Sequence, residues 1–328
     1  MKIQPFKSGE RICFIGDSIT AATGWIAHLA DCYSQNTTEQ IELYPCGISG
    51  GSCISGRDYF DEQSSPWQPN TVGIKLGMND VGGSFYGENG QGGDLQWQAK
   101  VLAEYKENLD LLVDKIKSAG VSRIILLAPT PYDEMMTCEA KNHVGWMAAL
   151  RSCAKFMEEL ADKSGCEFYD LGGDMLALLK EAYALGNQNP LIKEDRVHPN
   201  DLGHAVMARL ILTAQGFDGY QITASDIVSG RAGLTMSQKA AAFYELAKEE
   251  QSRWTTEWLV GRYSPDQSKE AKYKFITEDY VAAPEKYPDY EQHGAYFVSL
   301  AMSFNEKLAK LDKMRQAIKA ANTQLFDR

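Results

Sequence analysis

The chain has no long hydrophobic run. No stretch of about 18 uninterrupted apolar residues occurs in its 328 residues, so no membrane-spanning helix and no membrane partner are predicted. The N-terminal segment MKIQPFKSGERIC carries basic residues but no apolar core, so no signal peptide is predicted. A chain whose signal peptide had already been removed would read the same way. We therefore expect a globular protein located in the cytoplasm.

Basic runs, cysteine pairs and metal-ligand clusters are also lacking. The net charge is −11, from 44 acidic and 33 basic residues without a basic cluster, which argues against a nucleic-acid partner. The seven cysteines are an odd number and include no CxxC pair, which predicts buried reduced thiols rather than disulfides. Because no Cys and His residues cluster, no metal and no cofactor is predicted.

Short β-rich runs alternate with helical stretches from the N-terminus to about residue 215. This alternation is typical of βαβ units with right-handed crossovers, and therefore of a parallel sheet covered on both faces. The prediction is an α/β fold, a three-layer α/β/α sandwich with a five-stranded, flavodoxin-like parallel sheet. The predicted strands are residues 11–15, 41–44, 71–76, 123–128 and 166–171, and the predicted helices are residues 23–33, 96–119, 139–164, 174–185 and 201–214.

The C-terminal part of the chain has a different pattern. Residues 237–259 and 291–321 have the spacing of long amphipathic helices, and strand-like runs disappear. We predict an α/β domain at residues 1–217, a linker at 218–233 and a helical extension at 234–328. The aromatic side chains of the extension are predicted to pack within a helical hairpin. Their alternative roles are an interface with a second copy of the chain or a wall over the crevice of the sheet.

The loops that follow the predicted strands are where chemistry is expected, because parallel sheets bind ligands at the carboxyl ends of their strands. The first loop reads GDSIT and places Asp17 and Ser18 directly after an apolar strand. At this position Ser18 either caps the next helix or acts as a nucleophile. Taken alone, the tripeptide Gly16-Asp17-Ser18 favours the helix-capping role of Ser18.

A histidine with a nearby carboxylate favours the nucleophile. Asp195 precedes His198 by three residues in KEDRVHPN. In a loop this spacing brings the carboxylate beside the imidazole, where it fixes the tautomer and stabilises the imidazolium. The remaining histidines lie in or beside amphipathic helical stretches and are interpreted as structural: His28, His143, His204 and His293.

Two more loops offer hydrogen-bond donors. Asn79, in GMND after the third predicted strand, has a side chain suited to binding an oxyanion, although Asn-Asp also forms turns. Gly50, in GISGG after the second strand, lets a substrate oxygen approach the backbone amides closely. The long loop at residues 82–94 is interpreted either as a surface loop or as a border of the site that carries Phe85 and Tyr86 towards the substrate.

Taken in order, these segments resemble the SGNH or GDSL hydrolase family of esterases and lipases. The resemblance covers about residues 10–212 and rests on GDSIT, ISGGS, GMND and DRVHP. It implies that Ser18 is the nucleophile, His198 the base and Asp195 the carboxylate that orients the base.

The resemblance also implies an oxyanion hole. Its donors would be the backbone N–H groups of Ser18 and Gly50 and the side chain of Asn79. Asp17 and Asp80, which are neighbours of two of these residues, would support the site.

The chain departs from the family pattern at two positions. Ile19 stands where Leu is common, which is a conservative change. Pro45 stands five residues before Gly50, where the family often has Asn, so the loop around the oxyanion hole is less well predicted.

GISGG also fits GxSxG, which would make Ser49 the nucleophile of an α/β-hydrolase. Only two predicted strands precede Ser49, whereas the turn that carries the nucleophile of an α/β-hydrolase follows several strands.

The resemblance implies a carboxylic ester hydrolase. The expected enzyme is a serine esterase that hydrolyses a small acyl ester, in particular an acetyl ester of a carbohydrate, through an acyl-enzyme on Ser18. Lysophospholipase and thioesterase activities occur in the same family and stay open. The alternative from another class is a non-catalytic module that binds a small ligand through its Gly-rich loops.

Overall fold

A five-stranded parallel sheet forms the centre of the computed structural model, which describes residues 3–89, 92–187 and 190–327. The strand order is β2-β1-β3-β4-β5, as in flavodoxin-like sheets, and every neighbouring pair is parallel. The predicted fold class is therefore confirmed. The strands are β1 (Arg11–Gly16), β2 (Glu42–Gly47), β3 (Thr71–Lys75), β4 (Arg123–Leu127) and β5 (Glu167–Tyr169).

Helices cover the two faces of the sheet. Helices α2, α6 and α7 pack together, as do α3, α4 and α5, and right-handed crossovers place the two groups on opposite faces. Since β1, β3 and β4 are covered on both faces, they are almost continuous apolar runs. The α-helices are α1 (Ser18–Ala21), α2 (Gly24–Asn36), α3 (Cys53–Asp58), α4 (Leu95–Ser118), α5 (Trp146–Ser164), α6 (Leu171–Ala184), α7 (Asp201–Ala214), α8 (Ala224–Val228), α9 (Gln238–Leu259), α10 (Lys269–Lys274), α11 (Tyr280–Ala282) and α12 (Tyr290–Phe326). No helix among the described residues is both long and apolar enough to span a bilayer.

Two predicted helix boundaries are wrong. The helix predicted to begin at residue 139 begins at Trp146, because Gly145 has a φ of +102°, which interrupts a right-handed helix. His143 therefore lies in a loop, where its Nδ1 is 2.9 Å from the carbonyl oxygen of Tyr86. The helix predicted to begin at residue 174 begins three residues earlier, because the Asp170 side chain caps it.

The helical extension packs on the α/β core and also has a core of its own. Part of α9 and the end of α12 contribute side chains to the main core, for example Phe243 and Ile318. Further along, Phe297 and Phe304 of α12 pack in a separate cluster. The predicted linker at residues 218–233 contains α8 and buries Ile227 in the main core. The predicted domain boundaries stay a prediction.

The outer edge of β2 is covered by two side-chain amides of the extension. Asn322 of α12 accepts from the Leu43 N–H (3.0 Å) and donates to the Leu43 carbonyl (3.1 Å). Gln251 of α9 donates to the Pro45 carbonyl (2.9 Å) and accepts from the Gly47 N–H (2.7 Å). Pro45 has no N–H, so its position in an edge strand leaves no donor unpaired. Side chains thus close this edge in place of a sixth strand.

We predict that Asn322→Leu destabilises the fold. The substitution keeps the side chain's approximate size but leaves the buried N–H and C=O of Leu43 without partners. The free energy of unfolding, measured with urea, should fall by about 1–3 kcal/mol for each group left unpaired. Gln324→Leu at an exposed position of α12 is the matched control and should change it by about 0.5 kcal/mol or less. An equal loss in both variants would contradict the role of Asn322.

Candidate active site

Ser18 is the first residue of α1, separated from β1 by Asp17 alone, and it does not cap the helix. The N-cap is Asp17, whose carboxylate accepts a hydrogen bond from the Ile19 N–H (3.0 Å). This carboxylate is buried and lies 3.3 Å from Nζ of Lys75, which is also buried. Because Asp17 supplies the cap, the Ser18 hydroxyl is available for another contact. Its Oγ lies 2.8 Å from Nε2 of His198.

His198 is held on its other side by Asp195. The two side chains meet at 2.7 Å between Nδ1 and Oδ2, and Asp195 Oδ1 accepts from the N–H groups of Val197 and His198 (2.9 Å each). Burial by itself would raise the pKa of Asp195, but the hydrogen bonds from the His198 ring and the two amides lower it to about 2. The carboxylate therefore stays ionised at neutral pH and stabilises a positive charge on the imidazole.

The turn between Asp195 and His198 depends on a residue that the sequence analysis missed. Arg196 has a φ of +66° and a buried side chain. Its guanidinium donates to three backbone carbonyls of the segment at residues 133–140. No local pattern distinguishes this arginine from a surface charge, because its partners lie about 60 positions away in the sequence.

The loop after β2 presents a free backbone donor. Gly50 has a φ of +71°, a conformation that favours glycine, and a Cβ there would lie 2.8 Å from Cδ2 of Leu259, so a larger residue would also have to displace this side chain. Among the described residues, no acceptor binds the Gly50 N–H. The Ser18 N–H occupies the first helical position, where a helix supplies no acceptor.

The loop after β3 is tied to the loop after β2. The exposed side chain of Asn79 donates to the Gly51 carbonyl (2.8 Å) through one of its two amide hydrogens. Asp80 Oδ1 accepts from the Cys53 N–H (2.8 Å) at the start of α3. Burial raises the pKa of Asp80 to about 6, although the hydrogen bonds from Cys53 act in the opposite direction.

A cavity of about 290 Å³ lies over Ser18 and His198, and the helical extension forms one of its walls. Ser49, the alternative nucleophile, borders the cavity, but no hydrogen bond joins its hydroxyl to His198 in the described part of the chain. Phe85 and Tyr86 do not line the cavity, and Phe85 stacks on Trp97 instead. The α/β domain contributes Ser18, Ala21, Ala22, Ser49 and His198 to the lining, and the extension contributes Lys248, Gln251, Ser252, Thr255, Tyr296 and Leu300.

The described ranges contain no cluster of metal ligands and no disulfide. No group of three or more His, Cys, Asp or Glu side chains there could hold a metal ion. The seven cysteines are free, and five of them are buried.

We predict a pH-dependent contribution of Asp80 to stability. A carboxyl group whose pKa is raised by folding stabilises the fold below its unfolded pKa, and it loses that contribution as the pH rises through its folded pKa. Between about pH 4 and about pH 6, the wild type should therefore lose stability relative to Asp80→Asn. Urea denaturation at several pH values measures this difference. Asp218→Asn on the surface is the control, and the same trend in both variants would contradict the prediction.

Comparison with known proteins identifies the family. The sequence profile of the GDSL-like Lipase/Acylhydrolase family matches residues 14–206, which is more than half of the chain. An acetylxylan esterase of Geobacillus stearothermophilus is 26% identical over 230 residues, covering 64% of this chain and 96% of that protein.

Solved structures extend the similarity to the fold. A catalytic mutant of the acetylxylan esterase Axe2 from Geobacillus stearothermophilus has a TM-score of 0.52 at 25% identity, covering 68% of this chain and 100% of that chain. A gut microbial diltiazem-metabolizing enzyme has a TM-score of 0.73 at 16% identity, covering 99% of this chain and 96% of that chain. The second match shows a shared fold that includes the C-terminal helices.

Proposed function

The chain belongs to the GDSL-like lipase/acylhydrolase family and is a carboxylic ester hydrolase, and from this premise we propose that it is a serine esterase that removes a small acyl group, in particular an acetyl group, from a carbohydrate. The observation that carries the proposal is the continuous hydrogen-bond chain from Ser18 through His198 to Asp195. A nucleophile, a base and an orienting carboxylate in contact are what acyl transfer to serine requires.

The proposed reaction begins with proton transfer. His198 Nε2 takes the hydroxyl proton of Ser18 as Oγ attacks the ester carbonyl, and Asp195 stabilises the imidazolium. Collapse of the tetrahedral intermediate breaks the bond to the alcohol, which leaves with the proton from His198. Water, deprotonated by His198, then attacks the acyl-enzyme and releases the acid with Ser18 regenerated.

The oxyanion of each tetrahedral intermediate needs donors that are already in place. The backbone N–H groups of Ser18 and Gly50 have no acceptor among the described residues, and Asn79 keeps one free amide hydrogen. We assign these three donors to the oxyanion hole. Asp17 supports the site by capping α1, and Asp80 by linking the loops after β2 and β3.

The walls of the cavity and one relative support a small acyl group. The cavity over Ser18 has a volume of about 290 Å³ and is closed on one side by Leu300 and Tyr296. The relative from Geobacillus stearothermophilus is named an acetylxylan esterase. Its solved catalytic mutants replace a serine, an aspartate or a histidine, and the last two lie three positions apart, as Asp195 and His198 do.

Replacement of Ser18 tests the proposal. We expect Ser18→Ala to lower the turnover of p-nitrophenyl acetate and the release of acetate from acetylated xylo-oligosaccharides by at least about 10⁴-fold. The far-ultraviolet circular dichroism of the variant should match the wild type. Ser49→Ala is the control for the alternative nucleophile. Turnover that survives in Ser18→Ala but disappears in Ser49→Ala would refute the mechanism.

Leu300 should limit the length of the acyl group. Leu300→Ala enlarges the cavity, so we expect kcat/KM for p-nitrophenyl butyrate relative to acetate to rise by about 10-fold or more, within the range that one or two methylenes contribute in an apolar pocket. Met302→Ala, at an exposed position of the same helix, is the control. If the ratio of kcat/KM for the butyrate and acetate esters stayed unchanged in Leu300→Ala, the acyl group would not lie against Leu300.

A further inference from the structure

One face of α9 is hydrogen-bonded to the loop after β2. Gln251 accepts from the Gly47 N–H (2.7 Å), Thr255 Oγ1 accepts from the Ser49 N–H (3.0 Å), and Trp258 Nε1 donates to the Gly50 carbonyl (3.0 Å). The three side chains follow each other at intervals of four and three residues, so they lie on the same side of the helix. The helical extension therefore holds three of the four residues from Gly47 to Gly50.

These contacts surround the peptide group that carries the Gly50 N–H. Thr255 fixes the peptide before it, through the Ser49 N–H, and Trp258 fixes the peptide after it, through the Gly50 carbonyl. The peptide that joins Gly50 to Gly51 is also held by a turn hydrogen bond, which the Gly51 N–H donates to the Ile48 carbonyl (2.8 Å). The orientation of the Gly50 N–H is thus set from both sides, while no acceptor in the described part of the chain binds the N–H itself.

The two helical side chains are themselves held in place. Thr255 is buried, and Trp258 packs edge to face against Tyr59 with ring centroids 6.3 Å apart. In the next position of α9, Leu259 packs against Gly50, and a Cβ on Gly50 would lie 2.8 Å from its Cδ2. A rigid support of this kind is what a donor to a transition state requires, since misplacement by about 1 Å costs up to about 10²-fold in rate.

We propose that Thr255 and Trp258 are positioning residues for the oxyanion hole, so that the helical extension completes an active site whose reacting groups all belong to the α/β domain. The inference rests on the proposed serine esterase mechanism. Neither side chain needs to touch the substrate for this role. Trp258 lies outside the cavity over Ser18, whereas Thr255 borders it.

Two variants remove the hydrogen bonds with little change of shape. Thr255→Val removes the acceptor of the Ser49 N–H, and Trp258→Phe removes the donor to the Gly50 carbonyl. We expect each to lower kcat for p-nitrophenyl acetate by about 10-fold to 100-fold, with KM within about threefold of the wild type. The inhibition constant of phenylboronic acid, which forms a tetrahedral adduct on the serine, should rise by a similar factor. Thr255→Ser keeps the acceptor and should restore kcat.

Thr256→Val is the matched control. It is buried at the neighbouring position of α9, and among the described residues its hydroxyl donates to the Ser252 carbonyl within the same helix. It should keep kcat, and an equal loss of kcat there would show helix damage and overturn the inference. The inference also fails if Thr255→Val and Trp258→Phe both keep kcat and phenylboronic acid affinity while Ser18→Ala is inactive. If Ser18→Ala keeps turnover, the proposed function fails instead.

Discussion

The arrangement of the C-terminal helices depends on how the backbone groups at the outer edge of β2 are paired. A strand at the edge of a sheet exposes backbone donors and acceptors that need partners once they are buried. A side-chain amide carries one donor group and one acceptor, so Asn322 and Gln251 can each satisfy two backbone groups of the edge. Together with the apolar side chains of α9 and α12 that are buried in the main core, this pairing determines where the two helices lie. Because α9 is fixed at Gln251, Thr255 one turn later faces the loop that follows β2.

The candidate active site is therefore assembled from two parts of the chain with different tasks. The α/β domain supplies Ser18, His198 and Asp195 from loops at the carboxyl ends of its strands, as parallel sheets do. The extension supplies the wall of the cavity and the support of the Gly50 loop. Under the proposed mechanism, the α/β domain would carry out the chemistry, and the extension would shape the cavity and orient the Gly50 loop.

Much of the fold was predictable from the sequence because its signals are local. Strands buried on both faces are continuous apolar runs, and four short loop motifs mark the ends of elements. The contact of α9 with the Gly50 loop was not predictable, since side chains such as Thr255 and Trp258 look like those of any amphipathic helix. Pro45, which made this loop less certain, occupies an edge strand where a missing N–H costs nothing. The roles of the site residues stay predictions.

The closure of β2 also has a consequence for how the protein folds. Leu43 and its partner Asn322 are separated by 279 positions, so the contact forms only after a very large chain loop has closed. Until then, the backbone groups of the edge strand are open to pairing with strands of other molecules. A chain that formed its sheet before the C-terminal helices docked would therefore expose this edge, and self-association of such a chain would grow with protein concentration.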